Sequence, residues 1–368
     1  MKLLRLVAAA WFFAACLAPA VAAEAPLRVI FVDVEGGAAT LIVTPQHHAL
    51  LIDAGWPAAL SNPAAPPGGG SAQAPTSAQR IAAAVRAAGL SRIDYLLLTH
   101  YHTDHIGGAA ELIAAIPIGT FIDHGPNREP LSANPPANRR GYQAAELYAG
   151  YLAAIAGKPH RVMKPGDTLA IDGLTVTAVD SDGAVLASPL PGAGALGSGC
   201  PVQSAARDIG VDENPRSLGT LLRWGTARVL ALGDTTRVVE DALACPRDLI
   251  GPVDLMIADN HGTANAGSAT LLDTVKPSVY VFNNGAAKGA DEASLRFAQA
   301  APFIRGVWQM HRAVRSPAAN AAPDHIANIA SDDDGHTLQI AVDKDGTVAV
   351  TNDRTGITTR YERRSADR

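Results

Sequence analysis

The stretch Leu96-Leu97-Leu98-Thr99-His100-Tyr101-His102-Thr103-Asp104-His105-Ile106-Gly107-Gly108 decides how this chain is read. Three of the eleven histidines fall within six residues, with a carboxylate between them. They follow Ile93 to Leu98, an apolar run short enough to be a buried strand. Imidazole nitrogen and carboxylate oxygen are the usual ligands of borderline divalent metals such as zinc. Alternate residues at a strand end point the same way, so His100 and His102 can share one ion. Asp104 and His105 lie further along and can reach a second. Gly107-Gly108 allows close backbone approach where the loop becomes a helix. A surface histidine cluster would need neither the strand before nor the glycines after. A structural zinc site usually carries cysteines, and none stands here.

Working outward, the pattern predicts strands at Leu27–Val34, Thr40–Thr44 and Ala49–Ile52, the last ending in Asp53-Ala54-Gly55. Residues 56–76 are rich in Pro, Gly, Ala and Ser and read as a surface loop. Ser77 is placed as the cap of a helix running to Ala88, with Gly89 as its stop. Helices are expected at 109–115, 142–156, 235–243 and 268–275, and strands at Gly119–Ile122, 253–258 and 278–282. Hairpins are expected around Asp172-Gly173, Gly225-Thr226 and Asp345-Gly346. This order favours a layered α/β domain with mixed sheets over a doubly wound parallel one.

The composition, 48% hydrophobic and 18% charged over 368 residues, excludes a disordered chain. A net charge of −5 and the lack of a long basic run give no electrostatic footprint for nucleic acid. The first 23 residues read as a signal peptide. Lys2 and Arg5 form a basic start, Leu6–Leu17 an apolar run too short to span a bilayer, and Ala20-Val21-Ala22-Ala23 a small-residue cleavage site. An alternative uses Cys16 as a lipoprotein site. Loss of the leader removes two positive charges, and no later segment reads as transmembrane. A periplasmic or secreted location follows, and it bears on Cys200 and Cys245. An even pair in an oxidising compartment suggests a disulfide closing a loop of about 46 residues, with two separate thiols as the alternative.

On these residues the chain resembles the metallo-β-lactamase superfamily. His100-Tyr101-His102-Thr103-Asp104-His105 matches its His-x-His-x-Asp-His signature. Ile52-Asp53-Ala54-Gly55, Leu232-Gly233-Asp234 and Asn260-His261-Gly262 look like its first, bridging-Asp and final-His motifs. Asp33-Val34-Glu35-Gly36-Gly37 and Asn214-Pro215-Arg216-Ser217-Leu218 are similar to the hydrolase domain of bacterial competence (DNA-uptake) proteins and its secreted stand-alone relatives.

The resemblance implies a four-layered αββα sandwich over residues 24–311, with residues 312–368 as a C-terminal β extension. It implies two divalent metals, zinc by preference, about 3.5–4 Å apart. His100 and His102 would hold one; Asp104, His105 and His261 would hold the other, with Asp234 bridging. Asp53 would orient the metal loop, where residue chemistry alone makes it a turn Asp. Asp104 would also be the catalytic residue, orienting a metal-bound hydroxide. The expected activity is hydrolysis of a small ester or short phosphodiester. A β-lactamase or lactonase and a non-catalytic metal-containing module are the alternatives.

One departure stands out. Relatives supply a third His to the first metal between the signature and the bridging Asp, and here only His124 and His160 lie in that interval. Asp180, Asp182 or Asn214 are candidate substitutes; otherwise the site is more open or holds a single metal. His124, Asn214 and Ser217 are candidates for the substrate side. Asn283-Asn284-Gly285 and Lys288 border the pocket or form a plain turn, and His311 reads as a packed histidine at a helix end.

Overall fold

The computed structural model describes residues 24–60, 75–197, 199–200, 209–330 and 335–364. The leader with Cys16 and most of the 56–76 loop lie outside the described residues. The first half runs β1 (Leu27–Phe31), β2 (Thr40–Val43), β3 (Ala49–Ile52), α1 (Ser77–Ala87), β4 (Ile93–Leu97), α2 (Thr103–Ile106), α3 (Ala109–Ala115), β5 (Ile118–Asp123), α4 (Ala144–Ala154) and β6 (His160–Val162). Then come β7 (Thr168–Ile171), β8 (Leu174–Ser181), β9 (Ala184–Val185), β10 (Gly219–Trp224), β11 (Ala227–Ala231), α5 (Arg237–Ala244), β12 (Leu255–Ile257), α6 (Ala269–Val275) and β13 (Val279–Phe282). The chain ends with α7 (Glu292–Ala300), β14 (Gly306–His311), β15 (Ile326–Asn328), β16 (Leu338–Val342), β17 (Val348–Asn352) and β18 (Thr358–Tyr361).

Two large sheets form. One has the order β18-β17-β16-β1-β2-β3-β4-β5-β6, the other β15-β14-β13-β12-β11-β10-β8-β7, with β9 on β8. Alternation along the strands builds the layers. Val29, Ile42, Leu50, Val229, Val279 and Val281 point inward to a core between the sheets. Their neighbours Ile30, Leu41 and Leu51 face outward onto Ile81, Val85 and Leu112 of α1 and α3. On the other sheet Leu230, Tyr280 and Phe282 face Leu243, Leu271 and Leu295 of α5, α6 and α7. The result is the four-layer αββα sandwich. Strands buried on both faces explain why β3 and β13 are apolar throughout.

Residues 312–368 supply strands to both sheets: β15 joins the second, and β16 lies antiparallel to β1 in the first. Two local expectations are corrected. The cap of α1 is Thr76, whose hydroxyl accepts from Gln79 N while Gln79 Oε1 accepts from Thr76 N. Ser77 instead turns inward, its Oγ accepting from Trp56 N, a contact that local pattern cannot reveal. His311 ends strand β14, not a helix, and its Nε2 lies 2.8 Å from Asp33 Oδ1.

Each sheet changes from antiparallel to parallel pairing once near its middle, at β3/β4 and at β11/β12. Parallel strands turn their carboxyl ends to one edge, where ligands gather in α/β folds. Asp53, His100, Asp234 and His261 all leave carboxyl ends of those four strands.

Candidate metal centre

One Asp or His from each of four positions converges at this edge. Asp104, His105, Asp234 and His261 each offer a ligand atom, all within 4.8 Å of one another, and all four residues are buried. His105 Nε2 lies 3.1 Å from Asp234 Oδ1 and 3.2 Å from Asp104 Oδ2. His261 Nε2 lies 3.0 Å from Asp104 Oδ2 and 3.1 Å from His105 Nε2.

Outer contacts aim these groups. His261 Nδ1 donates to the Asn283 carbonyl at 2.7 Å, so its Nε2 carries the lone pair. His105 Nδ1 donates to Asp53 Oδ2 at 2.8 Å. Asp53 sits at φ 62°, in the left-handed region, and also accepts from Thr99 N and Thr99 Oγ1. Ser217 Oγ accepts from Asp234 N at 3.1 Å and fixes the end of β11.

The centre calls for positive charge. Burial alone would raise the Asp104 carboxyl, but Lys288 and His105 hold it well below its usual range. Burial disfavours a charged His105, yet Asp234, Asp104 and Asp53 raise its pKa well above the usual value. Lys288 Nζ hydrogen-bonds Asp104 Oδ2 and lies 2.9 Å from His261 Nε2. An ammonium and an imidazolium proton therefore meet the demand that a divalent cation would meet; such a cation would replace the proton and release the Lys288 ammonium from Asp104. His100 points the same way. Its ring is fully buried, its Nε2 has no hydrogen-bond partner, and burial with the nearby His105 and His102 keeps it neutral. The donor set fits a divalent metal.

His102 stands apart from the four-residue group. Its Nε2 is 2.9 Å from Glu129 Oε2, and Glu129 and Asp212 form a second group with it. Three substitutes for the missing third histidine are not seen beside the centre. Asp180 accepts from Thr235 Oγ1, Asp182 is paired with Arg216 and Arg128, and Asn214 lines a separate cavity with Pro215, Thr236 and Arg237. His124 and Ser217 are also corrected as substrate-side residues. His124 is buried against Tyr101 with its Nε2 on Glu213, and Ser217 is buried behind Asp234. Sequence reasoning gave no role to Glu129, Trp56, Arg139 or Asp212. They come from irregular loops, and nothing in their local pattern marks them.

The sequence profile of the metallo-β-lactamase superfamily matches residues 32–205. This segment, just under half of the chain, is similar to that superfamily. A hydroxyacylglutathione hydrolase of Alkalilimnicola ehrlichii is 47% identical over 47 residues, 13% of this chain; the match spans only 18% of that relative. Among solved structures, the metallo-β-lactamase fold protein YhfI of Bacillus subtilis is 13% identical, covering 85% of this chain and 99% of that one at a TM-score of 0.43. CmlA, a diiron β-hydroxylase of Streptomyces venezuelae, is 19% identical over 70% of this chain and 44% of that one, at 0.38. Asp234 and His261, which meet Asp104 and His105 at one edge of the sandwich, lie beyond the matched residues.

Proposed function

We propose that the protein is an exported, metal-dependent hydrolase of small esters, phosphodiesters among them, using two divalent ions, zinc by preference. The observation that carries this reading is the buried meeting of Asp104, His105, Asp234 and His261 within 4.8 Å. When bound there, divalent metal supplies Lewis acidity and brings the pKa of a water down to about 7. Asp104, His105, Asp234 and His261 would hold one ion, and His100 with His102 the other. Asp53 and Asn283 hold the two imidazoles in register. The carboxyl contacts of Asp104 among the described residues run through Oδ2, which leaves Oδ1 to orient a water and accept its proton. A cavity of about 320 Å³ beside His102 and Asp104 suits a small molecule. The similarity of Asp33–Gly37 and Asn214–Leu218 to competence-type hydrolase domains supports a phosphodiester. The leader-like start and the Cys200–Cys245 disulfide support export.

The test is metal analysis of the purified protein with a panel of chromogenic phosphodiester, carboxylic ester, thioester, lactone and nitrocefin. Two zinc equivalents and chelator-sensitive phosphodiester turnover are expected. Nitrocefin or lactone turnover without phosphodiester turnover would move the assignment to the lactamase or lactonase class. One metal or none, with no turnover, would replace the enzyme by a metal-containing binding module.

A further inference from the structure

Trp56 follows the Asp53-Ala54-Gly55 turn and stands beside the centre, close to the Asp104 backbone across Gly37. Two cations face its ring. The Lys288 Nζ is 5.2 Å from the ring centroid and the Arg139 Cζ 5.5 Å. They come from opposite sides of the fold. Lys288 lies on the loop after β13, and Arg139 on a short 3-10 turn between β5 and α4. Arg139 lines the cavity of about 320 Å³ together with His102, Asp104, Glu129, Tyr142 and Gln143. Among the described residues no carboxylate pairs with its guanidinium. Glu129, which shares the cavity, is held by His102 Nε2 and by Glu213 N. Lys288 has Asp104 as its carboxylate partner, and on the hydrolase reading that carboxylate belongs to the metal.

We infer that Arg139 and Lys288, braced on Trp56, form an anion-recognising wall, so that the substrate is a small ester bearing a carboxylate or phosphate near the scissile bond. This rests on the hydrolase reading for the ester and on the side-chain geometry for the anion. Both cations stand beside the metal centre against the Trp56 ring, an arrangement that limits their motion. The guanidinium offers a planar pair of donors to a carboxylate or phosphate. The wall also answers the net charge of −5, which repels long polyanions while a local cationic patch still attracts a compact anion.

Calorimetric titration of inorganic phosphate into zinc-loaded wild type, Arg139→Gln and Lys288→Met tests the wall directly, alongside the zinc content of each. Phosphate binding is expected to weaken about tenfold in each variant, with zinc content unchanged in Arg139→Gln. In parallel, a carboxylate-bearing aryl ester is compared with its neutral methyl ester. The kcat/KM ratio of anionic to neutral ester is expected to fall about tenfold in Arg139→Gln, through KM. Unchanged phosphate affinity in both variants overturns the wall, and so does an unchanged ester ratio. If the wild type cleaves no ester, the hydrolase reading fails while the phosphate titration still decides the wall.

Discussion

The Asp53 carboxylate and the His105 imidazole meet at 2.8 Å, Oδ2 to Nδ1, with both side chains buried. The contact joins the end of β3 to the turn after β4 and leaves His105 Nε2 facing Asp104, Asp234 and His261. Because the ring can turn only with the carboxylate's consent, Asp53 governs ligand direction without standing in the ligand group.

Asp53→Asn keeps the shape but removes the charge that holds the Nδ1 proton. Zinc affinity is expected to drop about 10- to 100-fold, as for other outer partners of metal-bound histidines. Competition against a chromophoric chelator reads this. Unchanged affinity would remove Asp53 from the metal site's support.

A parallel pair sits at the other histidine. His102 Nε2 donates to Glu129 Oε2, which leaves Nδ1 as the nitrogen free for a ligand role. Glu129→Gln is expected to weaken the second zinc equivalent about 10- to 100-fold while the first is kept. His102→Ala is expected to remove that equivalent and abolish turnover with an unchanged circular dichroism spectrum, since it deletes a nitrogen donor and little core volume. Two unaltered equivalents in both variants would dismiss His102 from metal binding.

Cys200 and Cys245 are bonded, with Cα atoms 5.7 Å apart and a sequence separation of 45. The bridge ties Cys200 to the end of α5. In the chain-entropy picture its loss costs about 4 kcal/mol. Non-reducing peptide mapping is expected to recover the linked pair, and Cys200→Ser with Cys245→Ser to lower the urea midpoint. Alkylation of both thiols in the native protein would contradict the bridge.

Asp180 gives a pH signature. Burial pushes its carboxyl up to about 8, against the Thr235 hydrogen bond that lowers it and with the Glu240 charge that raises it. The folded state therefore holds this proton more tightly than the unfolded chain, whose value is 3.8. Its contribution to stability is largest below that value, falls as pH rises towards about 8, and then levels off, with a slope approaching 1.4 kcal/mol per pH unit. Urea unfolding of chelated wild type and Asp180→Asn from pH 5 to 9 is expected to show the variant gaining relative stability as pH rises. Parallel pH profiles would refute a protonated Asp180.

Much of the layer order was legible because it rests on short-range patterns. The run at Ile93–Leu97, the helix at Ala109–Ala115 and the hairpin turns at Asp172-Gly173 and Gly225-Thr226 each carry their signal within a few residues. The helix cap was misplaced by one residue because Ser77 and Thr76 are equally good caps locally, and only the contact of Ser77 with Trp56 separates them.

The sequence by itself determined that a strand delivers His100, His102, Asp104 and His105 together, since six adjacent residues cannot be far apart. Only the tertiary structure decided which distant groups join them. Asp234 and His261 arrive because two sheets place their parallel strand ends at one edge. Lys288, Glu129, Arg139 and Trp56 arrive on loops whose course is set by packing across the whole fold, and no local periodicity encodes such a meeting.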